Sequence, residues 1–143
     1  MAFVLNGLVL DGNDLVLPFM ASCGVDTPDG VPVVSVGIAE RGEIVAGAYF
    51  TAHHPGRDIT VSAACRGAGL SAGKRIPRFY TWAFGHFQVP RITAEIDESN
   101  SASCRLCEGL GFRLEGIKRR AGHNGRNVIV YGLLKEDLKY GRR

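Results

Sequence analysis

One segment constrains the fold of this 143-residue chain more than any other: the glycine-rich run CRGAGLSAGK at residues 65–74. It follows an apolar run at residues 58–64 that is typical of a strand. It precedes apolar residues spaced three or four apart, which is the pattern of one helix face. A strand, a glycine-rich turn and a helix N-terminus together present main-chain amides that bind a phosphate group well. The segment therefore predicts an α/β unit built around an anion-binding loop.

The predicted elements on either side of this segment form one mixed sheet with flanking helices. Hydrophobic patterning predicts strands at residues 3–10, 33–39, 44–51, 58–64, 91–97, 113–120 and 127–134. The strand at 58–64 continues through a helix to the strand at 91–97, so these two strands are expected to be parallel with a right-handed connection. The other strands that follow one another along the chain are expected to pair as antiparallel hairpins. The predicted fold class is therefore α/β, with a mostly antiparallel central sheet that contains one parallel pair.

Three helices are expected, and each has a recognisable start or end. The first covers residues 15–22. The second begins just before Pro77, because proline fits only the first turn of a helix, where its missing N–H is harmless. The third opens at Asn100 or Ser101 and stops at Gly111. The aromatic residues at helical spacing on the second helix indicate core packing and no chemistry; they are Phe79, Tyr80, Phe84 and Phe87.

Length, charge and cysteine usage narrow the class of protein. The chain is expected to form one domain, residues 1–143, and its net charge of +3 is too small to indicate nucleic-acid binding by itself. No apolar run is long enough to span a bilayer, and the N-terminus lacks the features of a signal peptide. We therefore expect a cytoplasmic protein whose four cysteines are thiols. Cys104 and Cys107 form a CxxC, but no second ligand pair indicates zinc.

Three kinds of phosphate-binding loop compete for the glycine-rich segment. A nucleoside-triphosphate loop needs four residues between its first glycine and a Gly-Lys pair. Here only three residues separate Gly69 from the pair at 73–74, and Arg75 takes the place of the magnesium-binding Ser or Thr. A dinucleotide fingerprint on Gly67, Gly69 and Ala72 should open a larger doubly wound sheet than the remaining chain can form. Neither of these two loops fits.

The third kind is the acyl-CoA loop of the GNAT (GCN5-related N-acetyltransferase) family, whose pattern is Gln or Arg, two residues, Gly, one residue, and Gly or Ala. Residues 66–71, RGAGLS, resemble it, with Ser71 in place of the final Gly or Ala. A longer stretch at 97–116, DESNSASCRLCEGLGFRLEG, resembles the family segment in which an Asn opens a helix that ends in a Leu-Gly-Phe turn. The resemblance covers residues 33–138 and extends to small acetyltransferase-like proteins of bacteriophages.

The resemblance implies an acetyl-CoA-dependent N-acetyltransferase in which two central strands splay apart around the thioester. It assigns acetyl-CoA binding to Ala64, Arg66, Gly67, Ala68, Gly69, Ser71, Ala72 and Asn100. In the family, a tyrosine of the short helix protonates the leaving thiolate, and Cys107 stands at that position here. A thiol with an ordinary pKa of about 8.5 can donate a proton to a thiolate. The general base stays open among Glu95, Asp97, His53, His54 and, as in some members of the family, a water.

The acceptor is an unidentified amine, and two other functions stay open. One is modification of a nucleic-acid base, for which phosphate contacts would come from Lys118, Arg119, Arg120, Arg126, Lys139, Arg142 and Arg143. The other is a binding module that kept the fold and lost turnover, which the missing tyrosine favours. Variable loops at residues 23–32 and 53–57 would select the acceptor. The protein is expected to be a monomer or a homodimer, in the host cytoplasm if it is viral.

Overall fold

In the computed structural model, which describes residues 2–5, 7–27, 30, 32–65 and 75–139, the chain forms a mixed sheet with helices on both faces. The strands are β1 (Phe3–Leu5), β2 (Leu8–Leu10), β3 (Val34–Glu40), β4 (Glu43–His54), β5 (Asp58–Cys65), β6 (Arg91–Asp97), β7 (Arg113–Lys118) and β8 (Val128–Leu134). The helices are α1 (Asn13–Ser22), α2 (Pro77–Phe87) and α3 (Ser101–Leu110). Short 3-10 turns occur at His123–Gly125 and Lys135–Asp137.

The eight described strands lie in the order β1-β2-β3-β4-β5-β6-β8-β7. Among them, β5 and β6 pair in parallel and every other neighbouring pair is antiparallel. The chain passes from β5 to β6 through α2, because a parallel pair needs a long crossover connection. The predicted sheet, mostly antiparallel with one parallel pair, is confirmed.

The N-terminal segment differs from its prediction. The stretch predicted as one strand at residues 3–10 is the hairpin of β1 and β2. Gly7, at the reversal, has a φ of +81°, a left-handed conformation that glycine adopts without steric penalty. Helix α1 begins at Asn13, earlier than predicted, and no side chain caps it. The Asn13 side-chain amide donates to the carbonyl of Val33 at 3.1 Å, and so ties the helix to the chain entering β3.

Two apolar clusters cover the opposite faces of the sheet. Helix α1 packs on β3 and β4 through Val16 and Met20, which are fully buried. A Cβ atom at Gly37 or Gly47 would lie 2.9 Å from the Val16 side chain, so both glycines let the helix approach the strands closely. The other face carries the larger core, with α2 and α3. That core includes Phe79, Tyr80 and Phe84 as predicted, whereas Phe87 is half-buried.

The boundaries of α2 and α3 confirm the sequence signals. Pro77 is the first residue of α2. The Asn100 side chain caps α3, because its Oδ1 accepts the N–H of Ser103 at 3.1 Å. Gly111 ends α3 with a φ of +107°, and a Cβ atom there would lie 2.0 Å from the Asp137 carbonyl oxygen. Glycine is therefore required at this turn by both conformation and space.

Candidate functional site

The parallel strands β5 and β6 separate part of the way along their length. Residues 58–61 pair with residues 91–94; beyond them, β5 continues along β4 while β6 continues along β8. In an extended strand, alternate residues turn their N–H and C=O groups to opposite sides. Between residues 62 and 64, β5 therefore directs main-chain donors and acceptors into the gap, where no described strand pairs with them.

A cavity of about 420 Å³ lies at this gap, between the two separated strands, α2 and α3. Its apolar wall includes Val61, Ala63, Ala64, Ile76, Phe79, Ala94, Ile96, Ala102 and Leu106. Polar residues at the wall are Ser62, Glu95, Asp97, Asn100 and Ser103. A mostly apolar cleft with a few polar groups is typical of a small-molecule site.

The predicted anion-binding loop leaves the end of β5 at this cavity. Most of the residues predicted to bind acetyl-CoA lie outside the described residues: Arg66, Gly67, Ala68, Gly69, Ser71 and Ala72. The residues on either side of the undescribed stretch include Cys65 and Ile76, and both line the cavity, as does Ala64. Arg75 contacts the carboxylate of Glu40 on β3. Described residues on both sides of the stretch therefore lie at the cavity.

Asn100 also lies at the cavity, at the N-terminus of α3. Its role as the helix cap is confirmed by the hydrogen bond to Ser103, and Ser103 lines the cavity as well. The N-terminus of a helix carries partial positive charge and favours polar or anionic ligands. Contact between Asn100 and acetyl-CoA stays a prediction.

Cys107 belongs to the wall of the cavity and is 7% exposed. Burial, together with the nearby Cys104 and Glu108, raises the pKa of the Cys107 thiol to about 12. The thiol therefore keeps its proton at neutral pH and is a weak nucleophile. It also yields that proton less readily than an ordinary thiol, which weakens the predicted role of Cys107 as the acid.

Tyr80 lies at the wall of the cavity, a position that the sequence pattern does not show. Its ring is buried and packs edge-on against Phe112 at 5.5 Å, as a core residue should. Its hydroxyl makes no hydrogen bond with any described residue. Among the described residues, every polar side-chain atom that is fully shielded from solvent has a hydrogen-bond partner. Tyr80 itself lines the cavity. Burial, and to a lesser degree Cys107, raises the pKa of Tyr80 well above its usual range.

Glu95 stands where β6 leaves β5. Because side chains alternate along a strand, Glu95 points to the face opposite buried Ala94, away from α2 and α3. Its Oε2 atom lies 2.7 Å from Nζ of Lys118 on β7. The Glu95 side chain is 39% exposed, so it is accessible to a ligand from solvent. A carboxylate in this position can hold a cation and accept a proton.

Asp97 is tied to the loop between β7 and β8. Its carboxylate accepts the hydroxyl and N–H of Ser99 at 2.7 and 3.0 Å, Nε of Arg126 at 3.1 Å and the N–H of His123 at 3.3 Å. The hydrogen bonds from Ser99, followed by those from Arg126, lower the pKa of Asp97 to about 2. A carboxylate of such low basicity is a poor proton acceptor. The low pKa argues against the predicted role of Asp97 as the general base.

The histidine alternatives lie at the other end of β5. His54 pairs with Asp58 at the start of that strand, whereas the cavity begins at Val61. The His53 ring packs edge-on against Phe87 at 5.1 Å. The structure therefore does not bring His53 and His54 to the cavity.

The loop after α1 reaches the same cavity. Val25 lines it, and the Asp26 carbonyl accepts the hydroxyl of Tyr49 at 2.6 Å. The Asp26 carboxylate lies 3.2 Å from Nε2 of His123, in the loop that Asp97 also holds. The described part of the loop at residues 23–32, predicted to select the acceptor, therefore lies beside the cavity.

Several other predicted partners find less support in the described part of the chain. Of the basic residues predicted to contact nucleic acid, Lys118 and Arg126 already pair with carboxylates, and Arg142 and Arg143 lie outside the described residues. Among residues 2–139 that are described, no three His, Cys, Asp or Glu side chains are grouped to hold a metal ion. No helix in that part of the chain is long and apolar enough to cross a membrane, and no disulfide joins its cysteines.

Solved structures with a similar fold are acetyltransferases. A GNAT-family acetyltransferase from Bacillus anthracis has a TM-score of 0.67 and 15% identity, covering 95% of this chain and 99% of that chain. The ribosomal-protein-S5-alanine acetyltransferase from Vibrio fischeri has a TM-score of 0.70 and 12% identity, covering 97% and 99%. A spermidine N-acetyltransferase mutant from Vibrio cholerae has a TM-score of 0.66 and 14% identity, covering 76% and 67%. No protein-family model matches the chain. The chain thus has the GNAT acetyltransferase fold, as the resemblance implies.

Proposed function

We propose that this chain, which has the fold of the GNAT acetyltransferases, is an acetyl-CoA-dependent N-acetyltransferase that acts on an amine. The observation that carries the proposal is the gap between β5 and β6, where main-chain groups of residues 62–64 face an apolar cavity. The arm of acetyl-CoA is an extended chain that contains amide groups, and such a chain can pair with an open strand edge as another strand does. The structural neighbours support the same reaction class.

The cavity and the loop beside it divide the binding of acetyl-CoA between them. Ala64 and Asn100 would contact the arm of the molecule, because both line the cavity. The diphosphate would bind the main-chain amides of the glycine-rich loop, at Arg66, Gly67, Ala68, Gly69, Ser71 and Ala72. This division follows from the course of the chain, since the loop leaves the end of β5 at the cavity.

The transfer is direct. The amine nitrogen attacks the thioester carbonyl carbon, the C–N bond forms, the C–S bond breaks, and CoA leaves as the thiol. A main-chain N–H of β5 that points into the gap would polarise the carbonyl oxygen, and one such donor contributes about 3 kcal/mol to catalysis. The high pKa of Cys107 argues against a covalent intermediate on its thiol.

Glu95 and Tyr80 would handle the protons. Glu95 would accept the proton that the acceptor amine loses, because Glu95 lines the cavity and its carboxylate is exposed to solvent. The Tyr80 hydroxyl would donate to the leaving thiolate, because it is protonated, Tyr80 lines the cavity and the hydroxyl has no partner among the described residues. Burial raises the pKa of Tyr80 as it raises that of Cys107, so the choice of Tyr80 rests on its position and its unpaired hydroxyl and not on its acidity. Cys107, its neighbour, is the second donor.

Binding and turnover test the proposal separately. Calorimetric titration with acetyl-CoA should show binding, and mass spectrometry should find isotope-labelled acetyl groups on amines of a panel that begins with spermidine and alanyl peptides. Ala102→Trp, which fills the cavity from α3, should abolish the heat of binding. Arg105→Trp, the same new side chain on an exposed position of that helix outside the cavity, should retain it. Absence of binding, or equal binding to both variants, would contradict the proposal.

A further inference from the structure

An alkylammonium group lies beside Glu95, one of the residues that line the cavity. Lys118, the last residue of β7, reaches over β8 and places its Nζ 2.7 Å from Oε2 of Glu95 on β6. In the register, Lys118 lies beside Val128, and Val128 lies beside Asp97. The lysine stem therefore crosses the sheet within the part of β6 that has separated from β5.

The contact between Lys118 and Glu95 is loose enough to be broken. The two side chains are 53% and 39% exposed, and an ion pair of such exposure adds little to stability. Rotation about the four-carbon stem of Lys118 can move its nitrogen without moving the sheet. The neighbouring cation, Arg126, contacts Asp97 and does not take the place of Lys118 at Glu95.

We infer that Lys118 is itself an acceptor, and that the protein acetylates it in cis when no external amine is present. The inference rests on the proposed function, which supplies acetyl-CoA as the donor. The Lys118 ammonium loses one proton through Glu95 to water, and its nitrogen attacks the thioester carbonyl carbon. The C–N bond forms and the C–S bond breaks, giving acetylated Lys118, the CoA thiol and one released proton. The amide is uncharged, so Glu95 then loses its cationic partner.

The chain carries a matched lysine at the other end of β8: Lys118 lies beside the first residue of that strand, and Lys135 directly follows its last residue. Lys135 is exposed, and its N–H donates to the carbonyl of Pro90, just before β6 begins. Spontaneous chemical acetylation by acetyl-CoA should modify exposed Lys135 at least as fast as Lys118. Faster labelling of Lys118 than of Lys135 would therefore show that the site directs the reaction, because spontaneous acetylation does not favour Lys118.

The test incubates the whole chain with isotope-labelled acetyl-CoA and no amine, and follows each lysine peptide by mass spectrometry. We expect Lys118 to be labelled about 100-fold faster than Lys135, because the reacting groups are held together. The rate should not change when the protein is diluted, as a reaction in cis requires. Equal labelling of the two lysines, or a rate that falls on dilution, would overturn the inference.

Two variants connect the labelling to Glu95. Glu95→Gln should slow the labelling of Lys118 by at least about tenfold through loss of the base, while the labelling of Lys135 stays the same. Lys118→Arg keeps a cation beside Glu95 and should remove the rapidly labelled site. If Glu95→Gln leaves the labelling of Lys118 unchanged, the inference is overturned.

Failure of the inference and failure of the proposed function give different results. If acetyl-CoA binds and an external amine is acetylated while Lys118 stays unlabelled, the inference is overturned and the proposed function stands. If acetyl-CoA does not bind and neither amine nor Lys118 is labelled, both are overturned. Rapid labelling of Lys118 in cis supports both.

Discussion

The two ends of the β5–β6 pair belong to the same strands and have opposite structures. At the first end, the closed end, residues 58–61 pair with β6, and side chains reinforce the pairing across the two strands. The Thr93 hydroxyl donates to the Asp58 carboxylate at 2.9 Å, and Arg91 contacts both Asp58 and Glu115. A carboxylate of β5 is thus bound by residues of β6, so the side chains hold the strands together where the main chain does.

At the second end, the open end, the carboxylates of β6 are bound by residues of β7 and of the loop before β8, and not by residues of β5. Lys118 on β7 holds Glu95, and Arg126 in the loop before β8 holds Asp97. Neither contact bridges the gap to β5. The comparison teaches that, among the described residues, side-chain contacts between β5 and β6 occur only at the end where the main chains pair, whereas contacts from β6 to β7 occur at both ends.

The largest effect should distinguish two glutamates that each bind a cation. Glu95→Gln, at the open end, should lower kcat/KM by about 100-fold, because the base is lost. Its melting temperature should change little, since the pair with Lys118 is exposed. Glu115→Gln removes a carboxylate that binds Arg91 at the closed end, and it should leave kcat/KM unchanged. Steady-state kinetics of both variants check this, and equal losses in kcat/KM would remove the functional difference between the ends.

A pair of tyrosines gives the next effect. Tyr80→Phe should lower kcat by at least about tenfold through loss of the proton donor. The free energy of unfolding should not fall, because that hydroxyl has no hydrogen-bond partner among the described residues. Tyr131→Phe removes a hydroxyl that donates to Glu108 at 2.9 Å, and should cost about 1 kcal/mol of stability without affecting kcat.

Kinetics and urea unfolding of the two tyrosine variants separate chemistry from packing. Cys107→Ala is a third measurement, because Cys107 is the residue that the sequence resemblance places at the acid position. Retention of most activity in Cys107→Ala, with loss in Tyr80→Phe, is the expected result. The reverse result would return the acid role to the thiol.

A substitution at the closed end should lower the stability of the protein and leave ligand binding intact. Thr93→Val removes a buried hydroxyl and leaves the Asp58 carboxylate without that donor, so the free energy of unfolding should fall by about 1–2 kcal/mol. Thr60 lies beside Thr93 in the register and makes no side-chain hydrogen bond with the described residues. Thr60→Val is therefore the control and should be near neutral. Acetyl-CoA binding should survive in both variants, and its loss in Thr93→Val would show that the two ends are not independent.

Much of the fold was predictable from local patterns, because the signals are local. Pro77 fixes the start of α2, Asn100 and Gly111 fix the two ends of α3, and alternating residues fix β6. The first segment was predicted wrongly as one strand, since an apolar run does not show where a short hairpin reverses. The Asn-Gly dipeptide at residues 6–7 is the sequence signal for that reversal.

The site was less predictable, because its properties depend on contacts between distant elements. Sequence reasoning selected Glu95 and Asp97 together, and nothing in their spacing shows that one binds a lysine while the other accepts several hydrogen bonds. Tyr80 has the spacing of a core residue, and only the structure shows that it lies at the wall of the cavity. The raised pKa of Cys107 likewise follows from burial, which a single sequence does not give.

The smallest expected effect concerns Asp97 and the pH dependence of stability. Hydrogen bonds from Ser99, followed by those from Arg126, lower the pKa of its carboxyl from the ordinary 3.8 to about 2 in the folded protein. The folded state therefore holds the proton less tightly than the unfolded chain, so this stabilisation is fully present above the ordinary pKa and is lost as the pH falls toward 2. Urea unfolding measured from about pH 5 to about pH 2 should show a shallower decline in Asp97→Asn than in the original chain.

The control for Asp97 is Glu136→Gln, which changes an exposed carboxyl that makes no hydrogen bond or ion pair with the described residues. Its unfolding curve should decline with pH as the original does. Asp97→Asn should also retain most of the kcat, because its carboxylate anchors the loop between β7 and β8 and is too weakly basic to accept a proton from an amine. If Asp97→Asn instead lost as much kcat as Glu95→Gln at unchanged stability, the base would have to be assigned to Asp97. The functional difference between the two carboxylates of the open end would then be lost.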